Sequence, residues 1–374
     1  MKNILIDVSR AIIENAGIAR YTQKITENLV KNDRNNSYHL FATFWRNDPT
    51  KASKIKELEK YSKVNIKYIP GATKEYLWRT GKGFFLNRWY KKFDIFFAPS
   101  FMELPKFISI PSVLVIHDLT TVRFPEQRGE EVSTRLSAQM KMACDKANKI
   151  IAISKQTKND LIEFFKIDPQ KIEVVYPGID DHFRNLCLKR DKFILSVGTL
   201  EPRKNLPNLI RSYCQLPQNI IDEYKLKIVG GVGWNDKEIY SAISKAKYKK
   251  QIELLGFVSD INLIKLYNRA TLFVYPSIFE GFGLPVAEAM ACGAPVITTN
   301  VSSLPEVGGD GAIYIQDPNN IKELAKTIAN TLNDSKLLNK MSQLALINAK
   351  RFSWDHAAKQ TIQIFEDLKG VHND

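Results

Sequence analysis

Residues Tyr275–Thr298 read YPSIFEGFGLPVAEAMACGAPVIT, and the order of residue types in this stretch decides the fold. An apolar strand, Leu272–Tyr275, runs into a turn. A glycine-rich loop follows, Glu280-Gly281-Phe282-Gly283-Leu284. Pro285 stands where a helix should begin and Gly293 where it should stop. Pro295–Thr298 then resumes the strand pattern. Strand, glycine loop, helix and strand in this order make a βαβ unit, and the helix start presents backbone N–H groups and a positive dipole end to an anion. Glu280 and Glu288 flank that position.

Outward from this stretch, the same alternation fills the chain. Short apolar runs at Ile4–Val8, Tyr38–Thr43, Ile95–Ala98, Val113–His117, Ile150–Ser154 and Ile172–Tyr176 are separated by amphipathic segments such as Ile18–Val30 and Lys155–Phe165. The pattern restarts at Phe193–Val197, Lys225–Val229, Ile252–Leu255, Leu272–Tyr275, Pro295–Thr298 and Ala312–Ile315. Continuous apolar strands alternating with helices predict parallel sheets buried on both faces. The α/β chain is therefore expected to form two similar domains facing each other across a cleft. Tyr176–Arg190 carries turn signals without periodicity. This places an N-terminal domain at 1–185, a C-terminal domain at 186–352 and a final helix over 353–374 that packs back on the first domain.

The unbroken Glu280-GFGLPVA-Glu288 segment resembles the signature of retaining, nucleotide-sugar-dependent glycosyltransferases with two Rossmann-like domains, the glycogen-synthase-like family 4 of GT-B architecture. The resemblance implies a nucleotide diphosphate sugar as donor substrate, with Phe282, Gly283 and Leu284 in the donor loop. Two carboxylates suit such a ligand, one for sugar hydroxyls and one for ribose hydroxyls. It extends to Phe193–Asn205, FILSVGTLEPRKN, where a strand reaches Gly198 and a loop carries Arg203 and Lys204. In the family this basic pair grips the donor diphosphate, and two cations there would neutralise the leaving group without a divalent metal. Gly17 in the N-terminal loop Ala16–Arg20 would let backbone approach the diphosphate or the acceptor. His117, at the end of an apolar strand, is implied to contact the donor sugar. The catalytic expectation is thus His117, Glu280, Arg203 and Lys204, with Gly17, Gly198, Phe282, Gly283, Leu284 and Glu288 binding the donor. Gly256–Asp260 resembles the base-pocket segment, with Ser259 read equally as a helix cap, and Ser154 is read as an N-cap. The likeness is closest to mannosyltransferases of bacterial surface polysaccharide, with GDP-mannose the first choice and other UDP- or GDP-linked sugars open.

Composition narrows the rest. With 44% apolar and 25% charged residues in 374, the chain is an ordinary globular protein, and disordered or collagen-like classes are excluded. No run approaches a membrane span, the N-terminus lacks a signal-peptide pattern, and the four cysteines show no metal-ligand or CxxC spacing. A cytoplasmic protein without metal or other cofactor is expected. The net charge of +14 invites polyanions. Much of it is local: Lys51–Lys92 holds 12 basic and 3 acidic residues beside eight aromatics, Tyr61, Tyr68, Tyr76, Trp78, Phe84, Phe85, Trp89 and Tyr90. That composition suits an anionic membrane surface or a lipid-linked acceptor, and equally a helix whose aromatics face the core. Two rival functions remain at this level. A nucleotide-sugar epimerase would share the architecture but need no acceptor. A nucleic-acid-binding protein would use the basic-aromatic patch, yet no RNA-binding or helix-turn-helix signature accompanies it.

Overall fold

The computed structural model describes residues 1–14, 17–46, 48–80, 82, 87–127, 129–233 and 235–368. The chain divides into two units, Met1–Gly178 with Ser353–Asp374, and Ile179–Phe352. The first unit thus ends at Gly178, ahead of the expected 185. A Cβ on Gly178 would stand 2.2 Å from the backbone nitrogen of Trp354, so this glycine is needed for the first unit to pack on its own returning helix. In the second unit, the Ile179 N–H donates to the carbonyl of Phe352.

Each unit is built on a parallel sheet. The first contains β1 (Asn3–Asp7), β2 (Ser37–Phe44), β3 (Val64–Tyr68), β4 (Ile95–Ala98), β5 (Ser112–Ile116), β6 (Lys149–Ala152) and β7 (Ile172–Val174), in the order β3-β2-β1-β4-β5-β6-β7. The second contains β8 (Asp191–Val197), β9 (Lys225–Val229), β10 (Ile252–Gly256), β11 (Ala270–Tyr275), β12 (Val296–Thr299) and β13 (Ala312–Ile315), in the order β10-β9-β8-β11-β12-β13. Central strands such as β11 are buried at every residue, as strands covered on both faces must be. In both sheets the strand order reverses beside the first strand, between β1 and β4 and between β8 and β11. Loops leaving the carboxyl ends of two such strands diverge, and the crevice they leave is where doubly wound sheets bind ligands.

One strand and one stretch depart from expectation. Strand β3 lies inside the basic-aromatic segment, where no strand was expected. The aromatics of that segment also divide. Trp78 and Tyr90 are fully buried in the core, and Trp89 lies against Phe41 and Phe93. Trp78 is fixed further by its indole N–H, 3.1 Å from the Glu103 carbonyl oxygen. Tyr68 and Tyr76 stay exposed, as do Lys63, Lys67, Lys82, Arg88, Lys91 and Lys92. Phe84 and Phe85 lie outside the described residues.

The last helix, Trp354–Asp367, belongs to the first unit, with Trp354 edge-on to Tyr21 of the helix Gly17–Asn32. Its C-terminal carbonyls are capped by Lys2, whose ammonium lies 2.6 Å from the oxygen of Phe365 and 2.9 Å from that of Leu368. A cation there also complements the helix dipole. No helix among the described residues is long and apolar enough to cross a membrane.

Candidate functional site

The crevice at the β8/β11 reversal holds a buried charge cluster supplied by the two diverging loops. After β8 the chain passes Gly198 and enters a 3-10 turn, Pro202–Lys204. Asn205 closes this turn with a positive φ of 57° and bonds across to β11's loop, its side-chain amide 3.1 Å from the carbonyl of Pro276. After β11 comes Pro276–Gly283, and Gly283, at φ 105°, turns the chain into the helix Leu284–Ala291. Only glycine holds that angle without strain, which accounts for its place before the helix. Pro285 is the second helical residue, one later than expected.

Glu280 is the hub. Its Oε2 accepts from Arg203 at 2.5 Å, and its Oε1 accepts from Lys204 Nζ at 2.7 Å, the Tyr275 hydroxyl at 2.8 Å and the Ser277 hydroxyl at 2.5 Å. Arg203 is shared with Glu201, 2.6 Å away, and Lys204 lies 3.9 Å from the same Glu201 oxygen. Burial pushes the Glu280 carboxyl up, but Arg203, Lys204 and the hydrogen bonds outweigh it and hold the group at about 2. Glu280 is therefore an anion throughout the physiological range. Burial lowers Lys204 below the ordinary lysine value and neighbouring Arg203 lowers it further, against the pull of Glu280 and Glu201. Both oxygens of Glu280 are engaged by protein donors, and the two cations expected on the diphosphate are paired to carboxylates.

The remaining second-unit residues fall around this hub. Gly198 lies beneath the Lys204 stem, and a Cβ there would come within 3.3 Å of its Cδ and Cε. Phe282 is buried edge-on against Phe352, while Leu284 is half-buried at the first helical position. Glu288, expected in the first helical turn, is the fifth residue of the helix and is buried, with the Tyr267 hydroxyl 3.2 Å from its Oε2. Ser302 and Ser303, to which no role could be given from sequence, strap the loop. The Glu280 N–H donates to Ser302 Oγ at 3.0 Å, and Ser303 Oγ lies 2.9 and 2.7 Å from the carbonyls of Glu280 and Phe282. Ser259 stands at the N-cap of the helix Asp260–Arg269 but makes no capping hydrogen bond, whereas Ser154 caps Lys155–Phe165 through the Thr157 N–H.

His117 and Gly17 belong to the first unit. His117 follows β5, with Nε2 2.8 Å from the Pro99 carbonyl and its ring edge-on to Tyr21 at 4.8 Å. Burial lowers its pKa despite Pro99 and Asp118, so it is neutral at pH 7. A carbonyl can only accept, so Nε2 carries the proton and Nδ1 is left with a lone pair. Gly17 opens the helix Gly17–Asn32, and a Cβ there would meet nothing within 4 Å. Its neighbour Ala16 lies outside the described residues. Among the described residues no three His, Cys, Asp or Glu side chains are grouped to hold a metal ion, and all four cysteines are free.

Two parallel doubly wound sheets, the second carrying buried cations at its reversal, make up the GT-B fold. A sucrose-phosphate synthase from Thermosynechococcus elongatus shares this fold, with a TM-score of 0.77 over 98% of this chain and 99% of its own at 20% identity. The particular family follows from sequence: residues 178–369 match Glycosyl transferases group 1 and residues 15–183 match Glycosyltransferase Family 4, and the chain belongs to this family. The O-antigen chain mannosyltransferase B of Escherichia coli is 31% identical over 269 residues, 69% of this chain and 70% of that protein. The serotype-specific mannosyltransferase WbdA of Escherichia coli is 32% identical over 302 residues, 74% of this chain but 37% of that longer protein. The chain is a glycosyltransferase, which displaces the epimerase reading.

Proposed function

We propose that the protein transfers a mannosyl unit from GDP-mannose to a hydroxyl of a growing bacterial surface glycan, with retention at the anomeric carbon and without a divalent metal or other cofactor. The observation that carries this is the placement of Arg203 and Lys204 at the carboxyl ends of β8 and β11, beside the start of a helix. There a diphosphate would add its own oxygens to the acceptors the two cations already hold. The two cations would neutralise the charge that develops as the glycosidic bond breaks. Glu288 would meet ribose hydroxyls and the amides following Glu280 the phosphate. His117, through its free Nδ1 lone pair, would accept from a donor-sugar hydroxyl. Mannose is favoured by the names of the two Escherichia coli relatives. With both oxygens of Glu280 engaged by protein groups, this carboxylate is not free to act as a nucleophile, which supports a same-face route in which the departing phosphate takes the acceptor proton.

Partners in this proposal are the nucleotide sugar, a glycan or lipid-linked acceptor, and the anionic inner face of the cytoplasmic membrane. No nucleic acid is included. The membrane part rests on the cations and tyrosines of Lys51–Lys92 that remain exposed, not on Trp78 and Tyr90, which are core.

The test is to incubate the full chain with GDP- and UDP-linked sugars and an acceptor lipid, follow nucleotide diphosphate release, and determine the anomeric configuration of the product. Retained turnover in EDTA and its loss in Lys204→Ala are expected. Turnover by both Glu280→Ala and Lys204→Ala at the native rate would overturn the site assignment. Co-sedimentation with anionic vesicles should fall when Lys82, Arg88, Lys91 and Lys92 are neutralised together, and unchanged binding would remove the membrane from the proposal.

A further inference from the structure

We infer that Tyr275 is a positioning residue for Lys204, fixing the ammonium so that one N–H is left directed at the donor diphosphate. This rests on the proposal that Lys204 meets that diphosphate. Tyr275 is the last residue of β11, 2% exposed, with its ring stacked on Phe273 at 5.9 Å and 17°. The ring cannot swing away without opening the core. Its hydroxyl lies 2.7 Å from Lys204 Nζ and 2.8 Å from Glu280 Oε1. An ammonium only donates and an ionised carboxylate only accepts, so the phenol must accept from Lys204 and donate to Glu280.

Lys204, Tyr275 and Glu280 thus close a hydrogen-bonded triangle, because Lys204 also donates directly to Glu280 at 2.7 Å. Two of the three ammonium N–H groups are committed to protein. The third has no hydrogen-bond partner among the described residues. A lysine held by a carboxylate alone can rotate about that single contact, whereas two fixed acceptors define where the third N–H points. The other groups facing Lys204 are Glu201, 3.9 Å away, and the neighbouring guanidinium of Arg203. Neither supplies a second hydrogen-bond acceptor. Ser277 touches the same oxygen of Glu280 but not Lys204, and so serves as the internal control.

The experiment titrates the full chain with GDP and with UDP across pH, in native protein and in Tyr275→Phe, Ser277→Ala and Lys204→Ala. Tyr275→Phe removes one acceptor from the ammonium. Binding should weaken about tenfold, with a higher donor KM and a smaller change in kcat. The charged form of Lys204 loses support, so the alkaline limb of binding should move to lower pH. Ser277→Ala frees Glu280 of a competing donor and strengthens its hold on Lys204, so the same limb should stay or move to higher pH. A fluorinated tyrosine at position 275 keeps the packing and weakens the acceptor. It should lower the limb as Tyr275→Phe does, and it keeps the test intact if the phenylalanine variant folds poorly. Native affinity and an unmoved limb in the position-275 variants, or limbs that move alike in Tyr275→Phe and Ser277→Ala, would overturn the inference. If Lys204→Ala binds nucleotide diphosphate as the native chain does, it is the underlying assignment of Lys204 that fails. If that variant loses binding while the Tyr275 variants keep it, only the inference fails.

Discussion

Glu280 does its work as a buried anion, and its environment makes a measurable claim about acid. In the folded chain its pKa is about 2, against an ordinary 4.5. A depressed carboxylate contributes stability that is complete above the ordinary value and is lost as pH falls through the folded one. The displacement corresponds to roughly 3 kcal/mol. Glu280→Gln should therefore lower the melting temperature of the second unit by on the order of 5 °C or more at pH 7, and the gap to native should close as pH approaches 2. A gap that persists unchanged at low pH would mean that the carboxylate's charge is not what stabilises the loop. A neighbouring residue makes a second claim. Gly198→Ala would place a methyl 3.3 Å from the Lys204 stem, and a modest rise in donor KM with little change in stability is expected. At this scale the sequence was readable where charge sits in a glycine loop, as with Glu280, Arg203 and Lys204. It was silent on Tyr275, whose side chain continues an apolar strand and reads as core. It was equally silent on Ser277, whose hydroxyl reaches the carbonyl of Arg203 in the other loop, and on Glu201, whose pairing with nearby Arg203 depends on the turn between them.

At the scale of elements, periodicity located the strands that are covered on both faces, because continuous apolar runs are unambiguous. β3 escaped for a physical reason. It is the edge strand of its sheet, its burial declines along its length to exposed Lys67 and Tyr68, and its lysines join the surrounding basic run. The helix Gly71–Thr80 that follows was misleading in the opposite sense, since composition alone could not tell a membrane-facing tryptophan from a core one. Trp78 is 1% exposed, and its indole N–H is spent on the Glu103 carbonyl. Trp78→Ala should cost about 3–5 kcal/mol in denaturant unfolding of the first unit. A cost below about 1 kcal/mol would mean that the segment is not anchored there. By contrast, Ser154→Ala should cost only about 1 kcal/mol, the worth of an N-cap whose hydroxyl satisfies one amide, that of Thr157.

Across the whole molecule, both sheets gather carboxylates and cations where their strand order reverses, but Asp7 in the first cluster and Glu280 in the second shift in opposite directions. In the first sheet, Asp7 ends β1 and is completely buried. Ser9 bonds it, Lys74 stands 3.7 Å away, and Glu103 from the loop after β4 is paired to Lys74 and Arg10. Burial and the charge of Glu103 raise Asp7 from 3.8 to about 7, more than Lys74 and Ser9 can offset, while Lys74 and Arg10 keep Glu103 ionised despite its burial. The native state therefore holds a proton on Asp7 that the unfolded chain releases near 3.8, and the stability of the first unit must fall as pH rises from 3.8 towards 7. Above that range the penalty is complete, at most roughly 4 kcal/mol. Asp7→Asn keeps an acceptor for the Ser9 amide but cannot ionise. The variant should melt with the native protein at pH 4 and on the order of 5 °C above it at pH 8. Tryptophan fluorescence suits the measurement, because Trp45, Trp78, Trp89 and Trp354, four of the five tryptophans, lie in the first unit. An Asp7→Asn variant that melts below the native protein at pH 8 would show instead that Asp7 is ionised in the folded chain, with Lys74 as its partner. Asp7 would then match Glu280 in the second unit, a carboxylate kept charged by the cations beside it.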